Sequence, residues 1–151
     1  MPVSYQDAEE PSRRRLELKF RLIPGGFAIC RLPAGDPVPE WATKGIFHSI
    51  TCTSDELSIV CPVENVPEHH KPEVPWMCLK IEGPFAFSQV GILQAFIEPL
   101  VENGVPIFTI STFDTDYILV QETFFGVSLN ALQNAGHEIV PRDESWRKFI
   151  E

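Results

Sequence analysis

Leu16, Leu18, Phe20 and Leu22 alternate with Glu17, Lys19 and Arg21. A period of two marks a strand with one buried face. Pro24-Gly25-Gly26 predicts a turn, and residues 27–32 (FAICRL) a second strand. Residues 33–44 hold three prolines around Trp41. That excludes a long helix and leaves one helical turn at 40–43. The β-rich runs 47–53 and 57–61 flank Ser54-Asp55-Glu56 and predict a tight hairpin. Pro62, Pro67, Pro72 and Pro75 follow. They predict an extended linker and a candidate domain boundary.

Beyond the linker, residues 76–81 read as a strand that Gly83-Pro84 breaks. Val90, Leu93, Ile97, Leu100 and Val101 fall on one helical face, which predicts a helix over 88–103. Ser88 is its expected N-cap and Gly104 its left-handed terminator. Pro99 lies inside and should kink the helix or move its end. Residues 105–112 and 116–121 read as paired strands around Phe113-Asp114-Thr115. A helix from a Thr123 cap to Ala135, ended by Gly136, precedes a last strand over 137–140. The class is α+β, and the order β-α-β-β-α-β is the split βαβ of ferredoxin-like folds.

ITCTSDELSIVC (50–61) and ISTFDTDYILVQ (110–121) align without a gap sixty positions apart. Residues 27–32 parallel 77–82 at an offset of fifty. The chain therefore reads as two βαββ-like units, the first without its long helix. Neither alone has enough material for a large core.

Composition narrows the classes. Hydrophobic residues make up 44%, enough for a packed core. The net charge of −9 repels phosphate backbones, so nucleic acid is not an expected partner. No apolar run approaches the ~20 residues of a membrane span, and the N-terminus lacks the apolar core of a signal peptide. Cys30, Cys52, Cys61 and Cys78 are widely spaced, without a C-x-x-C pair. They read as reduced hydrophobes rather than disulfide or zinc ligands, which suggests a cytoplasmic protein. Residues 1–15 have no apolar period and read as a disordered arm. In the C-terminal tail, Trp146, Phe149 and Ile150 are expected to pack weakly on the body.

The stretch LKIEGPFAFSQVGILQAFIEPLVENGVPIFTISTFDTDYILVQ (79–121) closely resembles the tandem ACT-domain proteins of the CASTOR type. ITCTSDELSIVCP (50–62) resembles their first ACT unit. The resemblance implies a ferredoxin-like βαββαβ fold of two ACT units in tandem. The division is then an arm over 1–15, a degenerate first unit over 16–72 lacking its long helix, a second unit over 73–141 and a tail over 142–151. It further implies a regulatory or sensor module, not an enzyme, that binds a free amino acid or similar metabolite between units. A homodimer would match the four units of the animal sensors, and a regulated protein partner is implied. A ligand-free interaction or oligomerisation protein is the alternative. No cofactor and no metal are expected.

Carried over by motif, the ligand-binding residues are Gly83, Val90, Gly91 and Ile92 in the strand-to-helix loop, and Thr112, Phe113 and Asp116 in the hairpin. Their chemistry suits a free amino acid. A helix N-terminus offers N–H groups and a positive dipole end to a carboxylate. Gly91 allows close approach to the backbone. Asp116 suits an amine, and Phe113 an aliphatic stem. Plainer readings stand beside these. Asp114, and Asp116 with it, are common turn formers. Ser88 reads as a cap. Phe85 and Phe87 read as plugs between sheets. His69-His70 read as exposed linker histidines, and His48 and His137 as structural. Among nucleophile and phosphate motifs, G-x-S-x-G, H-E-x-x-H and the P-loop are missing from the sequence.

Overall fold

The computed structural model describes residues 16–83 and 90–150. The expected arm over 1–15, the Ser88 cap and the plugs Phe85 and Phe87 lie outside the described residues. The first strand corrects the sequence reading. Strand β1 runs from Lys19 to Pro33 without reversing, so Pro24-Gly25-Gly26 is not a turn between two strands. Ile23 pairs with Cys78 and Phe27 with Trp76, so residues 24–26 face Met77 alone. The three residues form a bulge. Gly25 sits at φ 95°, a region open to glycine. A Cβ on Gly26 would come 3.1 Å from Pro75 Cβ. Partners on both edges favour an extended chain over a hairpin here.

The other elements are β2 (Ser49–Cys52), β3 (Glu56–Pro62), β4 (Trp76–Ile81), α1 (Ile92–Glu102), β5 (Ile107–Ser111), β6 (Asp116–Gln121), α2 (Phe125–Asn134) and β7 (Glu138–Ile139). Short 3₁₀ turns occupy Glu40–Thr43, Val63–Asn65, Glu68–His70, Glu122–Phe124 and Ser145–Phe149. The strands form a single sheet in the order β2-β3-β1-β4-β6-β5, with β7 on β1. Phe20 pairs with Ile81 on one edge and Ile139 on the other, and Phe27 pairs with Trp76 and Pro62. Thus β7 and β3 share one edge of β1, and β4 holds the other. In the ferredoxin-like order the last strand lies beside the first of its own unit. Here β1 stands between β7 and β4.

Strand alternation sorts the core into faces. Phe20, Leu22, Met77, Leu79, Ile81, Ile118 and Val120 bury one face against Phe96 and Leu100 of α1 and Leu132 of α2. Ala28, Cys30, Leu57, Ile59 and Cys61 are covered by Ala42, Val66 and Trp41 from the 3₁₀ segments. The opposite face carries Phe27, Val60, Cys78 and Leu119 with half-buried Ile23, Trp76, Phe108, Ile110 and Tyr117. Phe47 lies across it, 4.6 Å from the Tyr117 ring and 5.7 Å from Phe27.

The helices end as glycine signals require. Val105 N–H reaches Leu100 O and Gly104 N–H reaches Val101 O, with Gly104 at φ 69°. His137 N–H to Leu132 O and Gly136 N–H to Gln133 O repeat the arrangement after α2. Both are Schellman closures. Helix starts differ from expectation. Phe124, not Thr123, precedes α2, and its side chain makes no capping bond. Helix α1 opens after Gly91, at φ 82°. Pro99 stays inside α1 and moves neither end to itself. A proline there leaves the Ala95 carbonyl without its helical N–H. His137 Nε2 lies 2.9 Å from that oxygen, and His137 Nδ1 accepts Leu18 N–H at 3.0 Å. Because Nδ1 accepts, Nε2 carries the proton and donates. His137 is therefore structural, whereas His48 is exposed just before β2.

The tail packs more firmly than its sequence suggests. Trp146 is 2% exposed and packs edge-on against Phe125 at 6.5 Å, with the Arg147 guanidinium over its ring at 4.8 Å.

Candidate functional site

The two hairpins turn on the same chemistry. Thr53 N–H donates to Glu56 O at 2.9 Å, and Glu56 N–H to Thr53 Oγ1 at 3.1 Å. Thr112 N–H donates to Thr115 O at 2.8 Å, and Thr115 N–H to Thr112 Oγ1 at 3.4 Å. Each threonine thus closes a two-residue loop with its own side chain. T-S-D-E and T-F-D-T correspond fifty-nine positions apart. The ungapped sequence alignment at sixty is one residue out of step. Strand pairing carries the correspondence further, setting β1 from Phe27 against β4 from Trp76 at forty-nine rather than fifty.

At the second hairpin a cleft of about 160 Å3 opens between Lys80, Gly83, Asp114 and Thr115. Thr115 is buried, and its hydroxyl donates to Ile81 O at 2.6 Å, which ties the turn to the end of β4. Lys80 lies in register with Tyr117 on the helix-free face. Burial, then Cys78, Asp114 and Glu82, push the Tyr117 phenol upward. Asp116 shares the helix-covered face with Ile118 by alternation and accepts a short hydrogen bond from Ser111 Oγ.

At the equivalent corner of the first hairpin, Arg31 stands where Lys80 stands. Arg31 NH2 donates to Asp55 O at 3.0 Å, and its Nε lies 3.6 Å from Glu56. At that corner Arg31 bridges to the turn. The second is open.

The expected site residues disperse around this corner. Gly83 lines the cleft. Thr112 and Phe113 form the exposed turn, with Phe113 77% exposed. Gly91 and Val90, the latter 85% exposed, lead into α1, whereas Ile92 is buried in the core. The sequence pattern does not single out Lys80 or Thr115 as site residues, and Asp114 reads in it as a turn former. Lys80 carried a signal in its position, a cation at a strand end out of step with Leu79 and Ile81.

The thiols are free, with Cys30, Cys61 and Cys78 buried and Cys52 exposed. Burial raises the Cys30 and Cys78 thiols, and burial with Cys30 nearby pushes Cys61 up to about 11. Among the described residues no three His, Cys, Asp or Glu side chains gather as a metal cluster. No described helix is long and apolar enough to cross a membrane.

A family model for the ACT domain matches residues 73–134, and a model of an N-terminal domain matches residues 25–69. The chain is 42% identical to the protein Atu0741 of Agobacterium tumefaciens, covering 83% of this chain and 93% of that one, with a TM-score of 0.77. The Vibrio cholerae protein VC0802, of unknown function, shares the fold at 19% identity and a TM-score of 0.64, covering 80% of this chain and 91% of that one. The chain is 28% identical over 123 residues to the cytosolic arginine sensor for mTORC1 subunit 1 of Bos taurus, covering 68% of this chain. It spans 37% of the length of that curated relative. The α+β sheet and its two helices are those of an ACT-type ferredoxin-like fold. The chain carries an ACT domain over residues 73–134 and is similar to the CASTOR-type ACT-domain proteins.

Proposed function

We propose that this chain is a regulatory module that binds a free amino acid, or a similar metabolite, at the corner between the Gly83 loop, the start of α1 and the β5–β6 turn. The observation that carries the reading is the open cleft at Lys80, Gly83, Asp114 and Thr115, at a corner whose counterpart is bridged by Arg31. A zwitterion needs both signs of charge in a small space. Lys80 suits its carboxylate and Asp114, on the same cleft, its amine; the first N–H groups of α1 and Asp116 offer the same pair of charges on the helix-covered face. Phe113 at the turn, with Val90 and Gly91, frames the side chain, and Thr112 fixes the turn. Ligand bridging between hairpin and helix favours one arrangement and shifts the population a partner meets.

The half-buried row of Ile23, Trp76, Phe108, Ile110 and Tyr117 supports self-association as a homodimer through the helix-free face. The same face favours the second reading, an assembly protein without ligand. A cytoplasmic setting and a division near residue 72, within the proline-rich segment, belong to the proposal.

A thermal-shift panel of the twenty amino acids tests it, with size-exclusion mass in parallel. A ligand at a hundred times its Kd stabilises by ~2.7 kcal/mol. A selective shift lost in Asp116→Ala and in Lys80→Met is the expected result. No shift with any amino acid, from a folded dimer, moves the reading to assembly.

A further inference from the structure

One side chain on one segment covers the centre of the helix-free face. Residues 44–48 lead from the 3₁₀ turn at Glu40–Thr43 into β2. The segment is pinned at both ends. Asn65 Nδ2 donates to Lys44 O at 3.3 Å, and Gly45 stands at φ 103°, where a Cβ would come 2.5 Å from Pro62 Cγ. At the other end Ser49 pairs with Val60. Between these pins the backbone of residues 45–48 makes no hydrogen bond among the described residues. Gly45, Ile46 and His48 are exposed, Ile46 at 74%, and Phe47 alone turns inward. Its ring meets those of Phe27 and Tyr117. Phe27 pairs with Trp76 and Tyr117 with Lys80, so the two rings approach Cys78 diagonally from β1 and β6. Phe47 therefore lies over Cys78, the buried middle of that face. The first unit carries Ser58 at the position of Tyr117, so the apolar seat belongs to the second unit.

We infer that residues 44–48 are a strap that opens while the sheet stays folded and that, when closed, keeps a second copy off the centre of the helix-free face. The inference rests on the proposed homodimer. A segment with a solvated backbone and one apolar anchor sits at the low end of local stability. Gly45 is its hinge, held in the left-handed region that glycine enters freely. Opening bares the rings of Phe27 and Tyr117 together. They join half-buried Trp76, Phe108 and Ile110 in one apolar patch, and such a patch favours burial against a partner. With the strap closed, Phe47 and the backbone that carries it stand on the same spot, so two sheets cannot meet there. Strap and second copy compete for one surface, and the open fraction sets the apparent dimer affinity.

Sedimentation equilibrium of the full-length protein reads the dimer Kd. Phe47→Ala removes the anchor. Gly45→Ala expels the strap but keeps the ring, through the Pro62 contact and the left-handed φ. Each should lower the dimer Kd by about tenfold. Ile46→Ser trims the exposed side of the strap without opening it and should leave the Kd unchanged. Iodoacetamide labelling of the dilute, monomeric protein reads opening itself. Cys78 should react in Phe47→Ala and Gly45→Ala but not in the wild type, with Cys30 and Cys61 shielded in all three. Weaker association in Phe47→Ala or Ile46→Ser would make the strap part of the interface and overturn the inference. Unchanged association in both opening variants of a protein that dimerises overturns it and leaves the homodimer standing. Monomers throughout, with Cys78 bared, remove both. A Cys78 that stays shielded in both variants, or that reacts only together with Cys30 and Cys61, denies a strap that opens alone.

Discussion

The two hairpin corners start from one design and end differently. Both are closed by a threonine that bonds across a two-residue loop, and both carry a basic residue on the neighbouring strand. In the first, Arg31 reaches the turn carbonyl of Asp55 and the carboxylate of Glu56. In the second, threonine replaces that glutamate, turns inward and bonds the end of β4. Lys80 then has no matching acceptor at the turn's fourth position, and space remains. A planar guanidinium satisfies several acceptors at once, whereas an ammonium is a compact point charge. One exchange of basic residue and two in the turn, Ser54 for Phe113 and Glu56 for Thr115, separate the bridged corner from the open one.

The strongest way to break this comparison lies beneath the corners. Ile59 and Ile118 are equivalent and both fully buried. Each Ile→Ala change should cost ~2–5 kcal/mol by denaturant unfolding. Ile118→Ala is expected to cost more, because Phe96 and Leu100 of a full helix hold the space open while 3₁₀ turns can settle. Equal losses would deny that the covers differ.

Next is the turn. Thr115→Val removes the buried bond to Ile81 O and should cost ~1–3 kcal/mol. Glu56→Val leaves only an exposed pair broken and should cost under about 1 kcal/mol. The ratio, read by thermal melting, sharpens the claim that only the second turn is anchored inward.

The basic residues come third. Lys80→Arg should bridge the open corner as Arg31 bridges the other, weakening amino-acid binding by about tenfold, ~1.4 kcal/mol. Calorimetry with the ligand found in the thermal panel checks this. Unchanged affinity would remove Lys80 from the site.

Thiol labelling gives a fourth contrast. Cys52, at the position equivalent to Ser111, should react alone in the native state, and Cys30, Cys61 and Cys78 only after unfolding. Mass spectrometry counts the adducts.

The smallest effect concerns the tail. Arg142 holds Glu138 below the usual carboxylate range, and Arg147 does the same for Glu144. A lowered pKa contributes stability above the unfolded value and loses it as pH falls through the folded one. The tail should therefore hold at neutral pH and loosen only below the ordinary carboxylate range. Trp146 fluorescence against pH reads this, and loosening near pH 6 would contradict it.

Much of the fold was legible because its signals are local. Strands β4 and β6, the hairpin loops and the glycine ends of both helices follow from alternation and turn chemistry within a few residues. What failed depends on distant partners. Pro24-Gly25-Gly26 reads as a reversal until β4 is seen alongside to accept a bulge. Pro99 reads as a break until His137, thirty-eight positions later, supplies the missing donor. The repeat was visible, but its register was fixed by strand pairing and not by letter identity. At the corner, the sequence pointed to the hairpin and the Gly83 loop. Lys80 was overlooked because its role depends on Arg31, its counterpart in another strand.

The placement of β1 between β7 and β4 has a consequence for how the chain assembles. Its 15 residues are synthesised before those of its partners; β3 takes Phe27–Pro33 on one edge early, but the other edge waits for β4 and Lys19 and Phe20 wait for β7. Until β4 emerges the strand is an adhesive ribbon with one whole edge unclaimed. A neighbouring copy at high concentration offers the same slot, so the waiting ribbon can be lent across molecules. Exchange of β1 between chains is the expected misassembly, and crowding during synthesis the condition that reveals it.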